Sequence, residues 1–200
     1  EDEDLRKYLN DLKEDLSSWV DRAMSTNALF SYLADTENIE EKERFPAKKI
    51  VDEIKEQVKF LAKGVPIETS RIEKDLKLPN ATLVEWGSIL QNVFINAFNA
   101  MVDSDKKIID VSSRSENGNH ELLIQDIGVG VNLEDAESLF SPFVRKLVIS
   151  PERRALGYGG TGLGLAIVDL IATNIECKAS FVEPEKEFNT AFSLKWREKG

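Results

Sequence analysis

Residues 157–165 read Gly157-Tyr158-Gly159-Gly160-Thr161-Gly162-Leu163-Gly164-Leu165. Five of these nine are glycine, and the apolar run LGLAIVDLIAT (163–173) begins inside them. The first N–H groups of a helix have no partner within it, and glycine lets an anion approach them closely. So dense a run is wasteful in a loop that only connects, because each glycine loses the most backbone freedom on folding. The stretch therefore reads as an anion-binding mouth on a helix. Its spacing is neither G-x-x-x-x-G-K-[ST] nor the G-x-G-x-x-G that follows a first strand.

Three further patterns precede it in fixed order. Asn92-Val93-Phe94-Ile95-Asn96-Ala97 lies in the strongly apolar stretch 82–102, which reads as a helix. Asn92 and Asn96 are four apart and share one helix face. An amide oxygen is a neutral, hard donor suited to Mg²⁺ whose remaining charge is met by phosphates. Asp126-Ile127-Gly128-Val129-Gly130 follows the apolar run LLI. It sets a carboxylate acceptor at a strand end beside backbone that a ligand can approach. Leu139-Phe140-Ser141-Pro142-Phe143-Val144-Arg145-Lys146 has two aromatics able to anchor a mobile segment, and two cations able to reach phosphates.

Around these motifs the chain alternates helices and strands. Pro46 opens an amphipathic helix with Ile50, Ile54, Val58 and Leu61 on one face and Gly64 as its stop. Strand-like alternation starts at Val65 and Ile67. IIDVSSRS and HELLIQDI are strands joined by a turn at Asn117-Gly118. Residues 131–160 are long and loosely patterned. KASFVE and TAFSLKW close the chain as a hairpin. Strands with short connections and helices on one side make an α+β two-layer sandwich, its sheet mixed but mostly antiparallel.

Residues 1–45 form a separate unit, ending in the charged stretch 34–46, and residues 46–200 form the main domain. Leu5, Leu9, Leu12, Leu16, Trp19, Ala23, Phe30 and Leu33 recur at spacings of four and three, with Thr26 the one interruption. This is a heptad seam on one long N-terminal helix of about 45 Å. A seam of this kind packs either on the following domain or in a bundle with a partner helix. The regular period favours the bundle.

Composition excludes several classes. The chain has 200 residues, 42% of them hydrophobic, and a net charge of −10. That balance argues against a general nucleic-acid binder and against docking on an anionic membrane. No apolar run is long enough for a bilayer span, and the N-terminus EDEDLRKYLN does not resemble a signal peptide. The single Cys177 makes no internal disulfide and fits a reducing, cytoplasmic setting, with membrane attachment of a parent protein left open. The single His120, at the start of a strand, excludes a multi-histidine metal site. It reads as an exposed strand-end residue, Cys177 as buried, and Trp86 and Trp196 as packing.

Taken together, the four motifs resemble the ATP-binding domain of the GHKL superfamily, which includes sensor histidine kinases, chaperone ATPases, type II topoisomerases and MutL-type repair ATPases. The resemblance covers about residues 46–200, and GGTGLGLAIV (159–168) and FSPFVR (140–145) look like the histidine-kinase branch. It implies the Bergerat fold and a set of site residues. Asn96 would hold Mg²⁺ with Asn92 assisting, and Asp126 would bind the adenine amine. Gly128 and Gly130 would admit the base. Gly160, Thr161, Gly162, Leu163 and Gly164 would wrap the phosphates, and Thr190 would stand near the adenine. Phe143 counts among the ATP-binding residues of the lid, residues 131–158. Arg145 and Lys146, with Asn92, would form the catalytic group at the transferring phosphoryl.

The resemblance further implies a two-component histidine kinase that uses ATP and Mg²⁺, dimerises through the N-terminal helix, and passes phosphate to a response regulator or other acceptor. The chain departs from the family in informative places. Asn92 stands where ATPase members carry a glutamate base, so water activation is not expected. Asn99 replaces a basic residue common among kinases, and Asn189 replaces the glycine before Thr190. His120 is misplaced for a phosphoacceptor, so the acceptor histidine is expected outside this chain. The alternatives are a non-catalytic nucleotide-sensing dimerisation module, a GHKL ATPase, or a serine protein kinase.

Overall fold

The computed structural model describes residues 41–59, 64–144 and 162–198. The seam of residues 5–33, and Leu61, lie outside the described residues. Pro46 stands just before helix α1, Ala47–Val58, where its missing N–H removes no helical bond. Ile50, Val51, Ile54 and Val58 bury one face of α1. Gly64 turns the chain at φ +85° before strand β1, Ile67–Arg71.

Helix α2, Leu83–Ala100, is the long apolar helix read from the sequence. Thr82 begins it with a capping box. Its hydroxyl accepts from the Glu85 N–H at 3.1 Å, and the Glu85 carboxylate accepts from the Thr82 N–H at 2.8 Å. Strands β2, Ile109–Glu116, and β3, Asn119–Asp126, are joined by Asn117 and Gly118 at φ 51° and 75°. Two consecutive positive φ angles match a hairpin turn of the I′ type. Helix α3, Gly164–Asn174, then leads to β4, Lys178–Val182, and β5, Thr190–Arg197.

Part of the segment read as loosely patterned is a 3₁₀ helix, Leu133–Phe140. Asn132 caps it by accepting from the Glu134 N–H at 3.1 Å. It buries little beyond Ala136, which is why it left almost no hydrophobic period. Phe140 ties it down through Phe181 and Phe192, with ring centroids 5.9 and 6.2 Å away.

The sheet runs β1-β2-β3-β5-β4. β1 and β2 are parallel, and every other pair is antiparallel. A parallel pair requires a crossover, and α2 supplies it. Cross-strand register separates the two faces. Val111, Ile124, Phe192 and Phe181 form one row, and Leu122, Leu194 and Ala179 the next. These rows pack with Trp86, Ile89, Leu90 and Phe94 of α2 and Ile167, Val168 and Ile171 of α3 in one core. The same alternation puts Asp126 between Ile109 and Thr190 on the helix side, at the end of the sheet. The other face carries Asp110, Gln125, Glu121, Arg114 and Lys195. Trp86 and Trp196 are packing residues as expected, 0% and 6% exposed.

Replacing Thr82 with Ala should lower unfolding free energy by about 1–2 kcal/mol, while Thr82→Ser retains the cap. Urea denaturation followed by far-UV circular dichroism checks this. Equal midpoints for wild type and Thr82→Ala would show that the cap does not hold α2.

Candidate functional site

Helix α2 brings the motifs together through three residues on one stripe. Asn92, Asn96 and Ala100 are spaced by four, so they stack along one face. At the N-terminal end of the stripe, Asn92 meets α3. A Cβ on Gly164 would stand 2.7 Å from Asn92 Oδ1, so a larger residue there would push the Asn92 amide aside. Asn92 is oriented by donating from Nδ2 to the Ser88 carbonyl at 2.8 Å. At the other end, Ala100 meets the turn after β3. A Cβ on Gly128 would lie 2.7–2.8 Å from Ala100, and the Val129 N–H donates to the Ala100 carbonyl at 3.2 Å. Asn96 stands between them. Its Nδ2 is buried and has no partner among the described residues.

Asp126 ends β3 on the same side and is only 5% exposed. Oδ1 accepts from the Gly128 N–H at 2.8 Å. Burial pushes its carboxyl from the ordinary 3.8 up to about 6, against the opposing pull of the Gly128 N–H and the Thr190 hydroxyl. Thr190 is buried beside it, and its Oγ1 has no other partner among the described residues. Gly130, at φ +82°, completes the turn with space for a Cβ only 3.4 Å from the Asn189 carbonyl.

Beyond the 3₁₀ helix, Phe143 takes φ +66° and is 73% exposed. Its N–H donates to the Gly162 carbonyl at 2.8 Å. Gly162 has φ +75°, and a Cβ there would come within 2.9–3.0 Å of the Phe143 backbone. The two stems around residues 144–161 are thereby fastened together. The expectation of two aromatic anchors holds for Phe140 and fails for Phe143, whose strained backbone turns its ring outward. Leu163 stands just before α3 and packs against the core, and as the N-cap residue it provides no side-chain cap to the helix. Arg145, Lys146, Gly160 and Thr161 lie outside the described residues.

The structure therefore gathers Asn92, Asn96, Asp126, Gly128, Gly130, Gly164 and Thr190 along one margin between α2, α3 and the end of the sheet. Two grooves, of about 930 and 380 Å³, lie by the opposite end of the strands, near His120. Neither touches Asp126 or the asparagines.

His120 starts β3 but is half-buried rather than exposed. It stacks on Trp196 at 5.7 Å, and its ring nitrogens face Ser115 Oγ at 2.9 Å and Glu198 at 3.4 Å. Cys177 is buried as expected, and desolvation pushes its thiol up to about 12. Sequence reasoning missed the part played by Asn189. Its Nδ2 donates to the Gly128 carbonyl at 2.8 Å and the Ile127 carbonyl at 3.2 Å. The only hint was an amide where a glycine was expected. Among the described residues no group of acidic, histidine and cysteine side chains could hold a metal ion. No described helix is long and apolar enough to cross a membrane.

Residues 84–200 match the family described as histidine kinase-, DNA gyrase B-, and HSP90-like ATPase. The sensor-like histidine kinase SenX3 of Mycolicibacterium smegmatis is 39% identical over 66 residues, which is 33% of this chain and 16% of that protein. The chain thus spans a small part of the length of the curated relatives it matches. The mycobacterial sensor histidine kinase MprB has a similar structure, with TM-score 0.62 at 20% identity, covering 78% of this chain and 97% of the other. The histidine kinase ShkA, solved full-length in complex with AMPPNP, gives TM-score 0.61 at 19% identity, covering 96% of this chain and 38% of the other.

The direction of the Asp126 shift fixes a stability prediction. A folded-state value above the unfolded 3.8 means that the protonated carboxyl is the one the fold favours. Its contribution is complete below 3.8 and is lost as pH rises through 6. Asp126→Asn should therefore stabilise the ligand-free protein at pH 7.5 by up to about 3 kcal/mol, the gain shrinking as pH falls through 6. Chemical denaturation at a series of pH values reads this out. A variant less stable than wild type at pH 7.5 would contradict it.

Proposed function

We propose a function that starts from a family: the chain belongs to the histidine kinase-, DNA gyrase B-, and HSP90-like ATPases. In our reading it is the ATP-binding catalytic part of a two-component sensor histidine kinase. It passes the γ-phosphoryl of ATP to a histidine outside this chain. Residues 46–200 are the catalytic domain, and residues 1–45 are the second helix of a dimerisation hairpin. A response regulator, or another acceptor protein, receives the phosphate downstream.

One observation carries the reading. Beside the buried Asp126 carboxylate stands the buried Thr190 hydroxyl, whose pull is on that carboxylate alone, and on α2 the buried Asn96 Nδ2 has no hydrogen-bond partner among the described residues. Leaving such a group unmet costs about 1–3 kcal/mol, so the arrangement suits a polar ligand that meets it. An adenine amine donates to a carboxylate, and Gly128 and Gly130 leave the backbone open for the ring. The glycine-bearing N-terminus of α3 suits phosphates.

The asparagine stripe also fits Mg²⁺. Asn96 Nδ2 is buried without a partner among the described residues, and rotating that amide by half a turn exchanges its oxygen and nitrogen. Asn96, assisted by Asn92, would hold the ion, which supplies charge neutralisation between the phosphates. Asn92 orients groups without taking a proton, so the residues here position and stabilise charge rather than activate water. Arg145 and Lys146 supply positive charge for the transferring group, and Gly160 and Thr161 extend the phosphate-binding backbone. The AMPPNP bound by ShkA is an ATP analogue and supports a nucleotide as the ligand.

Calorimetry of the chain with Mg·ATP at pH 7.5 tests the proposal. Binding should be measurable in wild type and weaker by about 1.5–3 kcal/mol in Asp126→Asn, the variant expected to be more stable. Asn96→Ala should reduce the magnesium dependence of ATP binding. Affinity for wild type should fall about tenfold per pH unit below 6, as the acceptor carboxylate takes up a proton. Radiolabelled ATP should leave His120 unlabelled. Absence of any ATP binding by wild type would refute the proposed function.

A further inference from the structure

The connection between β4 and β5, residues 183–189, forms a strap on the sheet face away from the helices. Its Glu185 N–H donates to Gln125 Oε1 at 2.8 Å. The Glu185 carboxylate accepts from Arg71 at 2.8 Å and Arg114 at 2.7 Å. The hydrogen bond from Arg71 is the chief reason that the Glu185 carboxyl sits below its usual range. Arg71 in turn donates to Asp110, with the shortest contact 2.6 Å. Three elements are thus stitched across the back of the sheet.

The far end of this strap grips the turn that carries Asp126. The Asn189 N–H donates to the Asp126 carbonyl at 2.9 Å, and its side chain donates to the carbonyls of Ile127 and Gly128. Helix α2 holds the same turn from the other direction. Gly128 is pressed against Ala100, the Val129 N–H donates to the Ala100 carbonyl, and Ser104 Oγ reaches the Ile127 carbonyl at 3.4 Å. A glycine at position 189 would keep the backbone bond and lose both side-chain bonds.

We infer that Asn189 is a positioning residue that sets the base selectivity of the site. The inference rests on the nucleotide reading above. A carboxylate held in one place accepts well from the amino group of adenine. At the corresponding ring position guanine presents a carbonyl oxygen, which the carboxylate repels. That discrimination requires a fixed turn. A turn freed from Asn189 lets Asp126 shift toward the N1–H and amino group of guanine, which also suit a carboxylate.

The test uses the full chain with Asn189→Gly and Asn189→Asp. Asp is nearly isosteric but sets a carboxylate against two carbonyls. Amide hydrogen exchange of Gly128 and Val129 is measured without nucleotide, and dissociation constants for Mg·ADP and Mg·GDP are measured by calorimetry at pH 7.5. In Asn189→Gly, exchange at both amides should quicken, and the preference for ADP over GDP should shrink by about fivefold or more, as expected from two lost hydrogen bonds. Asn189→Asp should show the larger loss. A purely structural role would weaken ADP and GDP equally and leave their ratio unmoved, and that result overturns the inference. Wild-type protein that binds neither nucleotide overturns the nucleotide reading and this inference together. Wild-type ADP binding with an unchanged ratio in both variants overturns the inference alone.

Discussion

A carboxylate held almost out of reach of water is the constraint around which this domain is arranged. Asp126 sits 5% exposed at the end of a central strand, with its carboxyl pushed up to about 6 by desolvation. An ionised group in that position opposes folding, so the surrounding structure must be stable without it. The large buried side chains of α2, among them Trp86, Ile89, Leu90 and Phe94, meet that need. Burial of each such side chain contributes about 1.5–3 kcal/mol. The strain at the acid is tolerated because the core behind it is dense and continuous with the rows of β2, β3 and β5.

Helix α2 does two jobs with two faces. Its apolar face builds the core, while the stripe Asn92, Asn96 and Ala100 faces the elements that meet it. Side-chain size sets those meetings. Gly164 approaches the amide of Asn92, and Gly128 approaches the backbone of Ala100, at distances that leave no room for a Cβ. The glycines therefore act less as flexible joints than as contact surfaces. They allow α3 and the β3 turn to close on α2 with the asparagine amides between them.

Much of this was legible in the sequence, for reasons that differ by element. The apolar stretch of α2, the Asn117-Gly118 turn and the strand-like runs of β3 and β5 are local signals, and each element formed where its residues called for it. Asn92, Asn96 and Asp126 could be picked out by residue type and spacing, and Thr190 only through the resemblance to the family. The register that sets Asp126 beside Thr190 is a tertiary fact, although once β3 and β5 pair, the two-residue pleat puts both side chains on one face. The 3₁₀ helix was not legible, because one buried alanine and a ring cluster with distant strands leave no local period. Phe143 misled for a related reason. Hydrophobicity suggested an anchor, but its bond to Gly162 and positive φ decide its direction. Asn189 carried no hydrophobic signal, and its partners lie about sixty residues away in sequence.

Stability and precision are lodged on opposite faces of the sheet. The helix side is apolar and well buried. The back pairs Arg71 with the buried Asp110 and Lys195 with the mostly buried Glu121, and it pairs Arg71 and Arg114 with Glu185, where both ends are partly exposed. Ion pairs at such exposure contribute about 0–1 kcal/mol each, too little to hold the fold. Their geometry still matters, because Arg71, Glu185 and Arg114 bridge β1, the strap and β2, and the strap ends one residue from Thr190. A weak bond suffices to choose among positions of a loop that differ little in energy, whereas only the core can choose between folded and unfolded chains. The back face can therefore tolerate changes in charge without unfolding while altering where the turn of Asp126 rests. That division lets one small sheet carry a costly buried acid on its front and adjust the acid's surroundings from behind.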